Sequence, residues 1–300
     1  MIHFITCQFG IDDLIDTQLR YIDKCTHDDY KVWMSYTTPT ATEAELFASI
    51  RRATWFDPDI IDNHESIINT NKHKVHHFEH IPITPAPVSD RFHMADFSSG
   101  RFIAGLNHQN NLHVLTEKVL QDDNTNDDDI LVWLDNDTLP VVNIDGIIDT
   151  DTLVAVQRKH KYHANNTSSL LPHPLFTSCK VGFFKQYNLN WRGGLWLRNE
   201  IPDIDQSLIF ADTGGCMYAY LEMNNISWRK LHKTYSLCDD DQNFEMFGDI
   251  ILHMGSVSLS KARKLANKMI AQDDYSRLYN DIISGNRDLF NEHHTHDTNQ

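Results

Sequence analysis

The stretch ILVWLDNDTLPV, residues 130–141, places five apolar residues directly before two aspartates that stand one residue apart. A short unbroken apolar run of this kind is typical of a buried strand in a parallel sheet. Residues i and i+2 of a strand point to the same face, so we expect the side chains of Asp135 and Asp137 to converge. Two carboxylates this close repel each other and are costly to bury, so a positive group is expected beside them.

The position of the acidic pair favours a metal site. In open α/β sheets ligands bind beyond the carboxyl ends of the strands, which is where Asp135 and Asp137 lie. Carboxylate oxygens are the ligands that Mg²⁺ and Mn²⁺ prefer. A plain turn is the alternative interpretation, because Asp-Asn-Asp-Thr also caps loops well.

The amino-terminal region predicts a strand, a helix and a second strand. HFITCQF (3–9) and KVWMSYTT (31–38) are β-prone runs on either side of a helical pattern. The apolar residues of that pattern keep helical spacing: Ile11, Ile15, Leu19 and Ile22. Strand, helix, strand is the opening of a parallel α/β sheet.

The remaining sequence continues this alternation. We predict further elements as follows: a helix within 98–120, strands at 152–160, 175–184 and 226–231, a polar loop at 162–174, and a helix within 212–224. A last helix is predicted to begin near Ser258 or Ser260 and to end at Gly285.

Composition excludes several classes of protein. The 300 residues carry a formal net charge of -16, which argues against a nucleic-acid partner because phosphate contacts need Lys and Arg. The five cysteines are scattered without a CxxC pair, which favours reduced thiols. We find no signal peptide and no apolar run long enough to span a membrane, so we expect a cytoplasmic protein.

An apolar strand followed by Asp-x-Asp resembles the metal motif of the nucleotide-sugar glycosyltransferases with the GT-A fold. Three further segments resemble elements of that family in the same order: FIAGLNHQNNL (102–112), ADTGGCMYAYL (211–221) and ILHMG (251–255). The QxxRW signature of many inverting members is missing. The resemblance implies an α/β fold with a GT-A (Rossmann-like) mixed, mainly parallel sheet flanked by helices.

The same resemblance implies a division of the chain. Residues 1–257 would form one catalytic domain, with a nucleotide-donor half at 1–160 and an acceptor half at 161–257. A helical appendage would follow at 258–285, and a disordered tail at 286–300.

The resemblance also implies a metal centre. Asp137 would bind a divalent ion, Mn²⁺ or Mg²⁺, and Asp135 would contact the ion through water or bind the ribose of the donor. His253 would be the third ligand, and an imidazole favours Mn²⁺ over Mg²⁺. The alternative for His253 is a buried histidine satisfied by the backbone.

Candidates for the acceptor and nucleotide sites follow from the same comparison. Asp212 is the candidate catalytic base, although it would also make a good helix N-cap. Other candidate bases are Glu200, Asp239, Asp240 and Asp241. The candidates for nucleotide binding are Thr6, Tyr36, Thr37, Arg101, Asn107 and Asp135. Trp191 and Trp196 flank a Gly193-Gly194 loop and would either stack on an acceptor sugar or lie in the core.

Three functions therefore stay open from the sequence. The first is a metal-dependent glycosyltransferase that moves a sugar from a UDP- or GDP-linked donor to a glycan or other hydroxyl acceptor. The second is a phosphohydrolase, because Asp135-Asn136-Asp137-Thr138 also resembles the nucleophile motif of the haloacid dehalogenase family. That family needs a late lysine and a second acidic motif, for which Lys180 and Gly248-Asp249 are poor matches. The third is a non-catalytic sugar- or nucleotide-binding protein on the same scaffold.

Overall fold

The computed structural model describes residues 1–9, 13–37, 75–81, 100–160, 169–193, 200–201, 203–205, 208, 213–239 and 242–253. The strands are β1 (Ile2–Phe9), β2 (Tyr30–Thr37), β3 (Val75–His80), β4 (Ile130–Asp135), β5 (Thr138–Pro140), β6 (Val154–His160), β7 (Ser169–Lys180), β8 (Arg229–Leu231), β9 (Lys233–Asp239), β10 (Gln242–Phe247) and β11 (Ile251–His253). The helices are α1 (Asp13–Cys25), α2 (Gly100–Gln121), α3 (Asp145–Ile148), α4 (Val181–Gln186) and α5 (Gly215–Met223).

A seven-stranded sheet with the order β3-β2-β1-β4-β7-β6-β8 forms the centre of the fold. Strands β3, β2, β1 and β4 are parallel, β8 is parallel to β6, and β7 runs antiparallel to both of its neighbours. This confirms the prediction of a mixed, mainly parallel α/β sheet. The chain moves outward from β1 through β2 to β3 and then returns to β4 on the other side of β1. The boundary between β1 and β4 is therefore a topological switch point.

The two faces of the sheet are covered by different elements, and β4 shows why. Its even residues Ile130, Val132 and Leu134 belong to a core cluster with α1, α3 and the second sheet. Its odd residues Leu131 and Trp133 belong to a cluster with α2, α4 and α5. Side chains alternate along a strand, so Asp135 continues the row that faces α2.

A smaller antiparallel sheet with the order β5-β11-β10-β9 begins directly after the acidic pair. Thr138 at the start of β5 pairs with His253 at the end of β11. His253 in turn pairs with Glu245 of β10. The sheet thus brings a late histidine beside the Asp-x-Asp segment. The β9–β10 hairpin was not among the predicted elements.

The structure corrects two of the predicted boundaries. The predicted strand at 175–184 ends at Lys180, and Val181–Gln186 is helical, because the amides of Val181 and Gly182 bond the carbonyls of Asp129 and Asp127. The predicted loop at 162–174 is also wrong in part, since β7 begins at Ser169 and pairs with β6.

Several other predictions can be placed against the structure. The predicted helices within 98–120 and 212–224 are confirmed as α2 and α5. The appendage at 258–285 and the tail at 286–300 lie outside the described residues. In the described ranges no helix combines the length and the apolar character needed to cross a membrane. The four cysteines with described side chains are buried free thiols: Cys7, Cys25, Cys179 and Cys216.

Candidate functional site

The acidic pair lies at the switch point of the large sheet. Asp135 is the last residue of β4 and pairs with Cys7 near the end of β1. Asn136 and Asp137 form a turn, and β5 begins at Thr138. The expectation that strand alternation orients both aspartates is therefore wrong, because the strand ends at the first of them. The two carboxylates contact different histidines.

Asp135 lies between two histidines on the α2 side of the sheet. Its Oδ1 is 3.1 Å from His108 Nε2, and its Oδ2 is 3.9 Å from His173 Nδ1. His173 Nδ1 accepts a hydrogen bond from the Leu175 amide, so this nitrogen presents a lone pair and cannot donate to Asp135. Asp135 Oδ1 is buried and accepts no hydrogen bond of normal geometry from the part of the chain described here.

Asp137 is linked to the small sheet through His253. His253 Nε2 lies 3.6 Å from Asp137 Oδ2, and its Nδ1 lies 3.0 Å from Glu245 Oε2. An ionised carboxylate can only accept, so Nδ1 carries the proton and donates to Glu245. The hydrogen bond from His253, together with the ion pair to Lys233, lowers the pKa of Glu245 to about 2. In the neutral tautomer this leaves His253 Nε2 with its lone pair toward Asp137.

The donor set of this site fits a divalent ion only in part. No three His, Cys, Asp or Glu side chains in the described ranges approach closely enough to hold a metal by themselves. Asp137 and His253 provide one carboxylate and one imidazole, and the buried Asp135 Oδ1 accepts no hydrogen bond of normal geometry from those residues. A carboxylate and imidazole set is compatible with Mn²⁺, and an ion there would take its remaining ligands from water or a substrate.

The structure places the predicted nucleotide residues in different settings. Thr6 is fully buried, and its hydroxyl donates to Gln18 Oε1 at 3.0 Å. Tyr36 is buried, and its ring centroid lies 6.2 Å from that of His80. The side chains of Thr37, Arg101 and Asn107 lie outside the described part of the structure.

The predicted acceptor-side residues are only partly placed. Asp212, Asp240 and Asp241 lie outside the described residues, and so does the side chain of Asp239. Glu200 is exposed, 3.3 Å from Arg192 Nη1, and accepts a hydrogen bond from the Tyr220 hydroxyl at 3.4 Å.

Only part of the predicted aromatic loop lies within the described residues. Trp191 is fully buried, with its ring centroid 5.4 Å from that of Trp133, so the core interpretation holds for this residue. Gly193 donates its amide hydrogen to Gln109 Oε1, whereas Gly194 and Trp196 lie outside the described ranges.

The glycine turn before α5 is confirmed, and the structure explains the first of its two glycines. Gly214 has φ +86, and a Cβ added there would lie 2.7 Å from the carbonyl oxygen of Pro172. Both the left-handed backbone and the close approach of β7 therefore require glycine at this position.

The sequence did not indicate four residues that the structure brings to the site. They are Gln18, His108, His173 and Glu245. His108 directly follows Asn107 in a segment that the family resemblance had singled out, so it offered a usable signal. The other three are distant in sequence from the acidic pair and carry no local motif.

No protein-family model matches this sequence, and no curated protein matches it. Among solved structures the chain is similar to the glycosyltransferase GlyE of Streptococcus pneumoniae TIGR4, at 8% identity and a TM-score of 0.30, over 76% of this chain and 44% of that one. It is also similar to an active-site mutant of LgtC, at 9% identity and a TM-score of 0.32, over 76% and 72% of the two chains. It is similar as well to mouse xyloside xylosyltransferase 1 in its apo form, at 8% identity and a TM-score of 0.35, over 77% of this chain and 85% of that one. These similarities are too distant to indicate an activity for this chain.

Proposed function

We propose that this protein is a metal-dependent glycosyltransferase that transfers a sugar from a nucleoside-diphosphate sugar to an acceptor hydroxyl. The observation that carries the proposal is the position of Asp135 and Asp137 at the carboxyl ends of β4 and β1, where the sheet order reverses. Histidine nitrogens lie near both carboxylates, at 3.1 and 3.9 Å from Asp135 and at 3.6 Å from Asp137. An acidic site of this kind binds a diphosphate only together with a cation.

The roles of the residues follow from their contacts. Asp137 and His253 would hold the ion, with Glu245 orienting the His253 ring through Nδ1. When bound, the ion supplies positive charge that stabilises the departing nucleoside diphosphate. Asp135 has a buried oxygen that accepts no hydrogen bond of normal geometry from the described residues, and we assign it to a ribose hydroxyl or to water beside the ion.

The acceptor half of the proposed mechanism requires a carboxylate that receives a proton from the attacking hydroxyl. We keep Asp212 as the proposed base for an inverting reaction. Glu200 is the second candidate, because its exposed carboxylate is oriented by both Arg192 and Tyr220. Substitution of each carboxylate by its amide would distinguish them through kcat.

The phosphohydrolase alternative gains no support from the described residues. Lys180 pairs with Ile130, at the opposite end of β4 from Asp135 and about 17 Å away along the strand. Its ammonium group is engaged with Asp151 at 2.8 Å. Asp249 is in a left-handed turn with φ 56, and its amide bonds the Thr234 hydroxyl. Neither residue is placed beside the acidic pair.

Calorimetric titration of the full chain with UDP and GDP, each with and without Mn²⁺, tests the proposal. We expect one nucleotide to bind only when Mn²⁺ is present, and the matching nucleotide sugars to release nucleoside diphosphate on incubation with candidate hydroxyl acceptors. Hydrolysis of an aryl phosphate without nucleotide binding would contradict the proposal in favour of the phosphohydrolase. Metal-dependent binding without turnover of any donor sugar would favour the non-catalytic alternative.

A further inference from the structure

A glutamine occupies a core position on helix α1. Gln18 lies on the same helical face as Ile15, Leu19 and Ile22, which pack into the core against the large sheet. Its side chain is fully buried. A buried amide is costly unless its donors and acceptor are all paired, so its bonding partners explain why it is tolerated.

The amide nitrogen of Gln18 holds both ends of the acidic turn. Gln18 Nε2 donates to the carbonyl oxygen of Asp135 at 2.7 Å and to that of Thr138 at 2.9 Å. These two carbonyls bracket Asn136 and Asp137. One side chain therefore connects the last residue of β4 to the first residue of β5, across the segment that carries the proposed metal ligand.

The opposite end of the Gln18 amide is fixed by strand β1. Gln18 Oε1 accepts hydrogen bonds from the Thr6 hydroxyl at 3.0 Å and from Gln8 Nε2 at 3.1 Å. Gln8 Nε2 also donates to Thr6 Oγ1 at 3.1 Å, which closes a ring of three side chains. Because carbonyls only accept, the amide can be oriented in only one way, and both of its donors are committed to the turn.

We propose that Gln18 is a positioning residue that fixes the conformation of the Asp135–Thr138 turn and thereby the placement of Asp137. Gln18 contacts the backbone of the turn and not the reacting groups. Its effect on metal and nucleotide binding rests on the proposed function, whereas its effect on the turn does not. Thr6, which the family resemblance suggested as a nucleotide contact, donates to Gln18 Oε1 and so helps to hold the Gln18 amide.

The informative variant is Gln18→Met, which has a side chain of similar length and flexibility but no donor. Thr116→Val is the matched control. Thr116 is buried on α2, accepts a hydrogen bond from Trp133 Nε1 at 3.0 Å and belongs to the opposite face of the sheet. Both variants remove a buried polar group, so we expect similar losses of thermal stability from the two.

Hydrogen exchange measured by mass spectrometry on wild type and both variants tests the effect on the turn without any ligand. Gln18→Met should increase exchange in peptides that cover residues 134–139 by about tenfold, whereas Thr116→Val should leave these peptides unchanged. Unchanged exchange at 134–139 in Gln18→Met would overturn the proposal. So would an equal increase in both variants, since that would indicate general destabilisation.

The dissociation constant for Mn²⁺ with the nucleoside diphosphate provides the second readout. Gln18→Met should weaken binding by about tenfold, while Thr116→Val should stay within about twofold of wild type. Equal affinity of Gln18→Met and wild type would overturn the positioning role in binding. If wild type itself binds no Mn²⁺ with UDP or GDP, the proposed function fails, and the exchange data still decide the role of Gln18.

A milder variant guards against loss of folding. Thr6→Val removes one hydrogen bond to Gln18 Oε1 and leaves both donors to the turn in place. We expect an increase in exchange at 134–139 smaller than that of Gln18→Met. If Gln18→Met does not fold, a Thr6→Val protein with unchanged exchange in this segment would overturn the proposal.

Discussion

Asp129 precedes the amino end of strand β4, and Asp135 and Asp137 stand at its carboxyl end. Asp129 accepts from three groups: the terminal ammonium of Met1 at 3.2 Å, His3 Nε2 at 3.3 Å and the Asn126 amide at 2.9 Å. His3 Nδ1 accepts from Trp33 Nε1, so its Nε2 carries the proton that Asp129 receives. At the other end, Asp135 Oδ1 is buried, lies 3.1 Å from His108 Nε2, and accepts no hydrogen bond of normal geometry from the described residues.

We interpret the difference as that between a carboxylate that stabilises the fold and carboxylates that, in the proposed function, bind a ligand. Burial disfavours the ionised form of Asp129, but the hydrogen bonds from Asn126, His3 and Met1 outweigh it and hold the pKa of Asp129 below its ordinary value. The partners of Asp135 and Asp137 are histidines on α2, β7 and β11. The two ends of the strand therefore differ: Asp129 accepts from three donors, whereas Asp135 Oδ1 accepts no hydrogen bond of normal geometry from the described residues.

Replacement of Asp137 should have the largest effect. Asp137→Asn is expected to weaken Mn²⁺-dependent nucleotide binding by more than about 100-fold, because it replaces the charged ligand by a neutral amide. Thermal melting should change by only a few degrees. Isothermal titration with Mn²⁺ and the preferred nucleotide measures the effect.

Asp149→Asn is the matched control, since Asp149 is exposed and lies 3.8 Å from Lys180. Wild-type affinity is expected for this variant. Equal nucleotide affinity of Asp137→Asn and Asp149→Asn would contradict a binding role for Asp137.

Replacement of Asp129 should reduce stability and leave nucleotide binding unchanged. Asp129→Asn is expected to lower the free energy of unfolding by about 2–4 kcal/mol, since the side chain is largely buried, pairs with the terminal ammonium of Met1 and accepts the His3 Nε2 proton. Nucleotide affinity should stay within about twofold of wild type. Urea denaturation followed by fluorescence measures the free energy of unfolding. If Asp129→Asn lost nucleotide binding but kept its stability, a structural role for Asp129 would be contradicted.

Replacement of Glu245 should give an intermediate loss of binding. Glu245→Ala removes the acceptor that orients His253 Nδ1, and outer-shell groups of this kind contribute about tenfold or more to metal affinity. Lys233→Met is the control, because it removes the other partner of Glu245 and leaves the contact with His253. A titration in which both variants bind as wild type would show that His253 needs no second partner.

The smallest effect concerns pH. The pKa of Asp129 is lower in the folded than in the unfolded protein, so its stabilisation is complete above the unfolded value and is lost as pH falls through the folded value. The gap in unfolding free energy between wild type and Asp129→Asn should therefore be constant near neutral pH and narrow below about pH 4. Urea denaturation across this range checks the expectation; a gap that widens in acid would contradict it.

Local patterns were sufficient for the central part of the fold. The apolar run 130–134, the helical spacing of Ile15, Leu19 and Ile22, and the turn before α5 each correspond to the predicted element. These features depend on periodicity and turn chemistry, which a short segment contains in full.

Contacts between distant segments could not be read in the same way. Gln18 reaches carbonyls more than a hundred residues away, and Glu245 meets His253 only because β10 and β11 pair. The strand-like pattern of 181–184 gave way to a helix because the carbonyls of Asp127 and Asp129 hold its first amides. In each case tertiary partners, not the local sequence, decide the outcome.

The proposed function requires the carboxyl end of β4 to bind a divalent ion together with a nucleoside diphosphate. Crystals grown with Mn²⁺ and UDP or GDP, with diffraction collected at the manganese absorption edge, test this requirement. We expect an anomalous peak in contact with the Asp137 carboxylate and His253 Nε2, with diphosphate oxygens as further ligands. A nucleotide bound elsewhere, or a manganese peak that is absent from this end of β4, would contradict it.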